Sequence, residues 1–150
     1  MKKYELIPEG KLFRIIALKD FGFIKKGELG GLIEKESNLS QKNECWIHEN
    51  ASVTGNAEVS GNAQIFGNTL VSGDAQVLGN AKVYGKALVS GDAEVSGDAE
   101  VSGNAQIIDN SKVTGNAKVR GDAEVTGNAE VYGNALVFGN ALVLNTGFFN

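Results

Sequence analysis

The chain repeats a six-residue unit sixteen times without insertion, from Ile47 to Leu142. Position one of each hexad is Val or Ile, position three is nearly always Gly, position four is nearly always Asn or Asp, and position five is nearly always Ala. A fixed short period is typical of a solenoid, in which each turn packs only on its neighbours. An α-helix is excluded because six residues do not match a 3.6-residue turn, and a Gly in each hexad would cost about 1 kcal/mol.

Each hexad predicts a short strand around the aliphatic residue, followed by a corner at the Gly-Asn pair. Gly and Asn are the residues that most readily adopt positive φ, which a tight corner requires. The aliphatic side chain points inward, its two neighbours point outward, and the small Ala fits into the corner. Three such edges close one coil, so we predict an all-β, single-stranded parallel β-helix with triangular coils.

An aliphatic residue followed four positions later by a small one resembles the hexapeptide repeat of left-handed parallel β-helices, and the match covers residues 47–142. This chain carries Gly at position three of the hexad, whereas many hexapeptide enzymes carry it at position two. The difference leaves the type of turn open. The first 46 residues are similar to the opening of the bacterial and phage YdcK-like hexapeptide-repeat proteins, in segments 14–21, 24–31, 38–41 and 45–47. Those proteins are often labelled transferases, but no catalytic motif carries over, so the resemblance implies a fold and not a reaction.

We predict three segments: an irregular N-terminal cap at 1–46, the hexapeptide-repeat β-helix at 47–142, and a C-terminal cap or tail at 143–150. A cap is expected because the end of a parallel solenoid presents unpaired N–H and C=O groups that would recruit other chains. Residues 11–21 alternate well enough for a strand, and Gly27, Gly30 and Gly31 are expected to supply bends.

Charge and hydropathy limit the partners. Residues 1–46 hold nine basic and seven acidic groups, and residues 47–150 hold five and eleven. Phosphate binding requires clustered Lys and Arg, so a nucleic-acid partner is disfavoured. No apolar run has the length of a membrane span and the first residues lack the apolar stretch of a signal peptide, so we expect a cytoplasmic protein without a membrane partner.

The chain offers few residues for catalysis. Cys45 occupies the inward corner position and is expected to be a small buried hydrophobe. His48 points outward beside Ile47, and the hexapeptide acyltransferases that this repeat resembles use a histidine as general base at a subunit interface. That alternative makes His48 the base and a coenzyme A thioester the cofactor. Because no insertion in the repeat shapes a pocket near His48, we expect a surface or packing histidine, no catalytic residue and no cofactor. One histidine also falls short of the three protein ligands of a catalytic zinc site, so no metal is expected.

Residues eighteen apart should stack above one another, which gathers outward apolar side chains into a ridge. The predicted ridge comprises Phe66, Leu70, Tyr84 and Leu88, with Trp46 and His48 near its upper end and Phe138 with Leu142 further along. Contiguous exposed apolar patches mark interaction sites. We therefore predict a non-catalytic, rigid binding or scaffold protein that self-associates, with a trimer implied by the resemblance. Another protein or an extended ligand such as a glycan is the alternative occupant.

Hexad 107–112 differs from the others because Asp109 replaces Gly and Ser111 replaces Ala. It would either bend the solenoid and present Ile108 and Asp109 outward, or reflect ordinary drift within a repeat. We favour drift.

Overall fold

The computed structural model describes residues 1–144 and the backbone of residues 147–148. Within these residues the protein has twenty-one β-strands, one single-turn 3₁₀ helix (Glu36–Asn38) between the third and fourth strands, and no α-helix. Most strands are two residues long because each hexad contributes only positions six and one. In chain order the strands are β1 (Tyr4–Glu9), β2 (Leu12–Ala17), β3 (Leu29–Ile33), β4 (Trp46–Ile47), β5 (Ser52–Val53), β6 (Glu58–Val59), β7 (Gln64–Ile65), β8 (Leu70–Val71), β9 (Gln76–Val77), β10 (Lys82–Val83), β11 (Leu88–Val89), β12 (Glu94–Val95), β13 (Glu100–Val101), β14 (Gln106–Ile107), β15 (Lys112–Val113), β16 (Lys118–Val119), β17 (Glu124–Val125), β18 (Glu130–Val131), β19 (Leu136–Val137), β20 (Leu142–Val143) and β21 (Gly147–Phe148).

The strands form three sheets in the described part of the chain. The long sheet has the order β1-β2-β3-β5-β8-β11-β14-β17-β20, the aromatic sheet has the order β4-β7-β10-β13-β16-β19, and the third sheet has the order β6-β9-β12-β15-β18-β21. From β4 to β17, each strand pairs in parallel with the strand eighteen residues later, as Lys82 does with Glu100. The predicted all-β parallel solenoid is confirmed, with about six turns. Its left-handed sense and triangular outline stay predictions.

The interior is a stack of aliphatic and alanine side chains. Position one is buried in every hexad, and Val83, Val95 and Ile107 are examples with no exposed surface. Each buried Val or Ile side chain contributes roughly 1.5–3 kcal/mol of transfer free energy, so the narrow core gains its stability from repetition. The residues on either side of each Val or Ile point outward, as the period-two pattern predicted.

The positive φ of the corners falls on position three, which is Gly in all but two hexads, and not on the Asn or Asp of the predicted Gly-Asn pair. Every hexad glycine has a φ between 64° and 77°, and no hexad Asn has a positive φ. The Asn or Asp at position four instead bonds along the stack, as in the 2.9 Å hydrogen bond from Asn104 Nδ2 to Asp122 Oδ1. The backbone therefore needs Gly for its conformation, while the neighbouring amide links one coil to the next.

The N-terminal cap is an antiparallel β-meander that joins the solenoid. β1 pairs with β2, β2 pairs with β3, and β3 then pairs in parallel with β5, with Leu32 opposite Ser52. The strand predicted within 11–21 is therefore confirmed as β2. Gly30 and Gly31 lie inside β3 rather than at bends. A side chain does not fit there, because a Cβ on Gly31 would clash with the Ala51 carbonyl oxygen. They permit close packing of the cap on the first coil.

Two sequence predictions concern the ends and the membrane. The C-terminal segment 143–150 falls largely outside the described residues, although Val143 is buried and Leu144 is exposed. No helix in the described part of the chain combines the length and hydropathy needed to cross a bilayer.

Candidate binding face and adjoining groove

The aromatic sheet presents two columns of outward side chains, which together form the aromatic face. Position two of its hexads supplies the ring column, and position six supplies the charged column. The ring column is His48, Phe66, Tyr84, Ser102, Arg120 and Phe138, and the charged column is Gln64, Lys82, Glu100, Lys118 and Leu136. Both columns follow from the sequence because the inward Val or Ile lies between them in each strand.

The upper half of the ring column is an aromatic stack. The Phe66 and Tyr84 rings are parallel, with centroids 5.0 Å apart and an interplanar angle of 1°. His48 packs edge-on at 5.6 Å from Phe66. Such pairs contribute roughly 0.5–1.5 kcal/mol beyond their buried area. The predicted vertical alignment of these three residues is confirmed.

The stack is interrupted at Ser102 and resumes below it. The Arg120 guanidinium lies 5.9 Å from the centroid of the Phe138 ring, within the range of a cation–π contact. Phe138 is 58% exposed. The face therefore has a bulky aromatic half, a small residue near its middle, and a second half with an arginine over an exposed ring.

Gln64 fixes the tautomer of His48. The Gln64 amide nitrogen donates to the Glu44 carbonyl at 2.9 Å and to the Asn62 carbonyl at 3.3 Å, which orients the amide. Its oxygen lies 3.0 Å from His48 Nε2 and can only accept, so Nε2 carries the proton. In the neutral imidazole Nδ1 is then the acceptor nitrogen, and no hydrogen bond to it is present in the described part of the chain.

The predicted single ridge is divided between two sheets. Leu70 and Leu88 pair in register in the long sheet, and Leu142 lies further down that sheet. Phe66 and Tyr84 belong to the aromatic sheet, and the Tyr84 hydroxyl bonds Glu100 Oε1 at 3.3 Å, across its own face. The leucines are thus a separate apolar column around a corner, with Leu70 38% and Leu142 57% exposed.

Trp46 does not lie on the exposed surface, and its predicted placement there is wrong. Its side chain is fully buried, with ring centroids 5.3 Å from Phe21 and 6.4 Å from Tyr4. The cap folds back over the first strand of the aromatic sheet and covers the indole. Trp46 Nε1 has no hydrogen-bond partner among the described residues, and the indole contacts the cap through its packing against Phe21 and Tyr4.

A tight turn in the cap forms a groove beside the aromatic stack. Phe21 and Ile24 exchange backbone hydrogen bonds of 3.0 and 2.8 Å, which leaves Phe23 at the tip with its side chain fully exposed. The groove has a volume of about 470 Å³ and is lined by Phe23, Ile24, Glu44, His48, Phe66 and Lys82, among others. Such a volume is within the range of ligand sites. The expectation that nothing shapes a pocket near His48 is wrong, because the cap supplies a wall that the repeat lacks.

Cys45 is a buried residue, as predicted, and it has an unexpected neighbour. The Lys3 ammonium donates to the Cys45 carbonyl at 2.8 Å and to the Lys42 carbonyl at 3.2 Å, and it lies 3.3 Å from the Cys45 sulfur. Burial lowers the pKa of Lys3 and raises the pKa of the Cys45 thiol. This arrangement fastens β1 to the first coil and keeps the thiol in its unreactive form.

Hexad 107–112 contains a modified corner. Asp109 takes the positive φ of the missing glycine, at 60°, and its carboxylate accepts hydrogen bonds from the Thr126 hydroxyl and from the Gly127 N–H. These bonds, the Thr126 hydroxyl first, lower the pKa of Asp109. Ser111 replaces Ala in the interior and donates to the Ile108 carbonyl at 2.6 Å. Both substitutions thus carry compensating bonds.

Potential metal ligands do not cluster in the described part of the chain. Across the described ranges, 1–144 and 147–148, no three His, Cys, Asp or Glu side chains form a group that suits a metal ion. Neither the aromatic face nor the groove is built around such a cluster.

The repeat is similar in sequence to a known repeat family and to a curated bacterial protein. Residues 63–79 match the family described as the YdcK β-solenoid repeat. The repeat is of the YdcK type. The curated Escherichia coli (strain K12) protein called "Uncharacterized acetyltransferase YdcK" is 31% identical over 67 residues, which cover 35% of this chain and 21% of that protein. The match thus spans about a fifth of the length of YdcK. Of the aromatic face, the matched segment 63–79 includes Gln64 and Phe66.

Proposed function

We propose that this chain is a non-catalytic, rigid β-solenoid that binds further copies of itself through the aromatic face. The observation that carries the proposal is the continuous stack of His48, Phe66 and Tyr84 on the outer surface of the solenoid. Outward positions of a repeat are free to be polar, so aromatic rings in successive coils mark an interaction site. The exposed Phe138 and Leu136 extend that apolar character to the far end of the same face.

The proposal is tested by sedimentation velocity at protein concentrations from about 5 to 500 µM, the range in which small interfaces dissociate. Phe66→Glu places a charge in the centre of the stack. Leu78→Glu is the matched control, because Leu78 occupies the same hexad position on the third sheet and is also half-buried. Circular dichroism checks that each variant folds.

Self-association of the wild type that is lost in Phe66→Glu and kept in Leu78→Glu supports the proposal. A wild type that stays monomeric over the whole range refutes it, and so does an equal loss in both variants. Binding of a different protein or of a glycan by the monomer, abolished by Phe66→Glu, would instead assign the face to a heterologous partner.

A second candidate function is acyl transfer from a coenzyme A thioester, with His48 as general base. It is favoured by the hydrogen bond of Gln64 to His48 Nε2, which leaves Nδ1 of the neutral imidazole as the acceptor, and by the groove of suitable volume that His48 lines. Gln64 holds the ring in the tautomer that a base requires. The printed name of the E. coli relative, an acetyltransferase, points the same way.

Acyl transfer is tested by following release of free thiol from acetyl-coenzyme A in the presence of hydroxyl and amine acceptors. General-base catalysis contributes roughly 10²–10⁴-fold, so His48→Ala should lower the rate by that factor. Ser102→Ala, on the same face but two strands below Phe66, serves as the control. A wild-type protein that transfers no acyl group, or that does so equally well without His48, removes this candidate.

A further inference from the structure

We infer that the second copy docks antiparallel on the aromatic face, about a two-fold axis that crosses the face midway between the coil of Lys82 and the coil of Glu100. The inference rests on the proposed self-association and gives it an orientation and a register. A two-fold contact uses the same patch on both copies, so the patch must complement itself. The order of side chains along the two columns meets that requirement when the axis lies between Lys82 and Glu100.

Below β4, whose Trp46 is covered by the cap, the face is a regular ladder of strands. Its strands pair in a constant eighteen-residue register, and the Phe66 and Tyr84 rings stack in parallel on neighbouring coils. The aromatic sheet has six strands. An axis between its third strand, β10, and its fourth, β13, places each of the six strands of one copy opposite a strand of the other. No rung is left overhanging.

Charge favours this register over the two that differ from it by half a coil. An axis one coil lower, between β13 and β16, would pair Glu100 with Lys118 but would leave two strands of each copy without an opposite strand. With the axis between β10 and β13, Lys82 lies opposite Glu100 of the second copy, and symmetry repeats the pair. Moving the axis by half a coil in either direction puts Lys82 opposite another Lys82, or Glu100 opposite another Glu100. Like charges facing each other cost several kcal/mol and suppress a wrong register.

Charge also selects the antiparallel orientation. If the two solenoids ran parallel about a two-fold axis, the ring column of one copy would face the charged column of the other. Arg120 would then lie opposite Lys118, twice. In the antiparallel pair Lys118 faces the neutral Gln64, and no like charges meet.

The side-chain sizes are complementary in the same register. The bulky Tyr84 of each copy lies opposite the small Ser102 of the other, so the interruption in the stack receives a ring. Phe66 lies opposite Arg120, a pairing that permits a cation–π contact. His48 lies opposite Phe138, which covers an exposed ring.

The cap groove fits the far end of the second copy. At the end strands, β19 of one copy lies opposite β4 of the other. Leu136 then faces the cap turn that covers Trp46, beside the groove lined by Phe23. Leu136 is 47% exposed and Phe23 is fully exposed in the single chain. Docking in this register brings both side chains toward the same groove and removes them from water.

The size of the face predicts weak association. Six strands at about 4.8 Å and an edge of about three residues give a face of roughly 25 Å by 10 Å. Two such faces bury less than the approximately 1,200 Å² of a standard stable interface. We therefore expect a concentration-dependent dimer, with dissociation in the micromolar range or weaker.

The test is a charge reversal with mixing. Lys82→Glu and Glu100→Lys should each lower self-association at least tenfold. An equimolar mixture of the two variants should associate, because each copy then offers the charges that the other lacks. Lys112→Glu, at the equivalent position of the third sheet, should associate like the wild type.

The outcomes separate this inference from the proposed function. A wild type that does not self-associate defeats both. A wild type that associates, while the mixture of Lys82→Glu and Glu100→Lys shows no recovery, overturns the antiparallel register and leaves self-association standing. A trimer by sedimentation equilibrium likewise overturns the two-fold axis, in favour of the assembly that the resemblance implied.

Discussion

The stacking of coils through their glycine corners makes a quantitative prediction for Gly103→Ala. Gly103 has a φ of +68°, and a Cβ there would lie 2.8 Å from the Gly121 nitrogen and 2.9 Å from the Gly121 oxygen. The left-handed conformation costs a non-glycine residue roughly 1–2 kcal/mol. Pushing two backbones apart adds about 1–3 kcal/mol, as overpacking does elsewhere. We expect Gly103→Ala to lower the free energy of unfolding by about 2–5 kcal/mol.

Gly139→Ala is the matched control in the same column of corners. Gly139 has a φ of +67°, but no atom lies within 4 Å of the position of its Cβ. Only the conformational cost of roughly 1–2 kcal/mol applies there. The difference between the two variants therefore isolates the contact between coils.

The assay combines guanidinium denaturation with native-state hydrogen exchange, because a solenoid loses its terminal coils before its central ones. The amide of Asn104, which donates to the Gly121 carbonyl at 2.8 Å, reports on the central contact directly. Equal losses for Gly103→Ala and Gly139→Ala, or unchanged protection of Asn104 in Gly103→Ala, would refute the reasoning. Gly103→Asp should be milder than Gly103→Ala, because Asp109 already occupies such a corner with its carboxylate bonded to the next coil.

Three further predictions concern the cap and the modified corner. Lys3→Met should lower the free energy of unfolding by about 1–3 kcal/mol in urea titrations, because it leaves buried carbonyl oxygens without a donor. Burial raises the pKa values of Cys45 and Tyr4, so the unfolded chain releases these protons at a lower pH than the folded chain does. The free energy of unfolding should therefore fall as the pH rises above about 9. It should fall less in Cys45→Ala than in the wild type when both are measured across this range. The pKa of Asp109 lies below its ordinary value of 3.8. The contribution of Asp109 to stability is therefore present above pH 3.8 and is lost as the pH falls through the folded pKa. Thr126→Val removes one of its hydrogen bonds and should move the Asp109 pKa toward 3.8, as followed by carboxyl-detected NMR.

The solenoid was predictable because its determinants are local and repeated. A buried aliphatic residue, a glycine corner and a small inward residue recur in each hexad, so a single unit suffices to infer the backbone path. The eighteen-residue stacking of Phe66 on Tyr84 follows from the same period. The sequence also held a signal that simple column alignment missed: position two contacts position six of the next coil, sixteen residues later. His48 with Gln64 and Tyr84 with Glu100 are both such pairs.

The cap could not be inferred in the same way, because its contacts join residues far apart in a segment without a repeat. Alternation places Trp46 outward, since it precedes the inward Ile47. The aromatic ring that covers it belongs to Phe21, in a turn that no periodic pattern positions. The burial of Lys3 against the loop of Cys45 was equally hidden, because a lysine near a chain end is ordinarily solvated. The groove beside His48 depends on the same fold-back, and this explains why the repeat alone suggested no pocket.

The two candidate functions make opposite demands on His48. General-base catalysis needs Nδ1 open to a substrate in the groove, whereas the antiparallel pair places Phe138 of the second copy over the same imidazole. The groove that would admit an acceptor molecule is also the space that Leu136 of the second copy would enter. Self-association in this register therefore excludes acyl transfer at His48 within the pair, and the monomer is the only form in which that chemistry has room. Because the face is small and the dimer weak, protein concentration would decide which of the two states of the groove prevails.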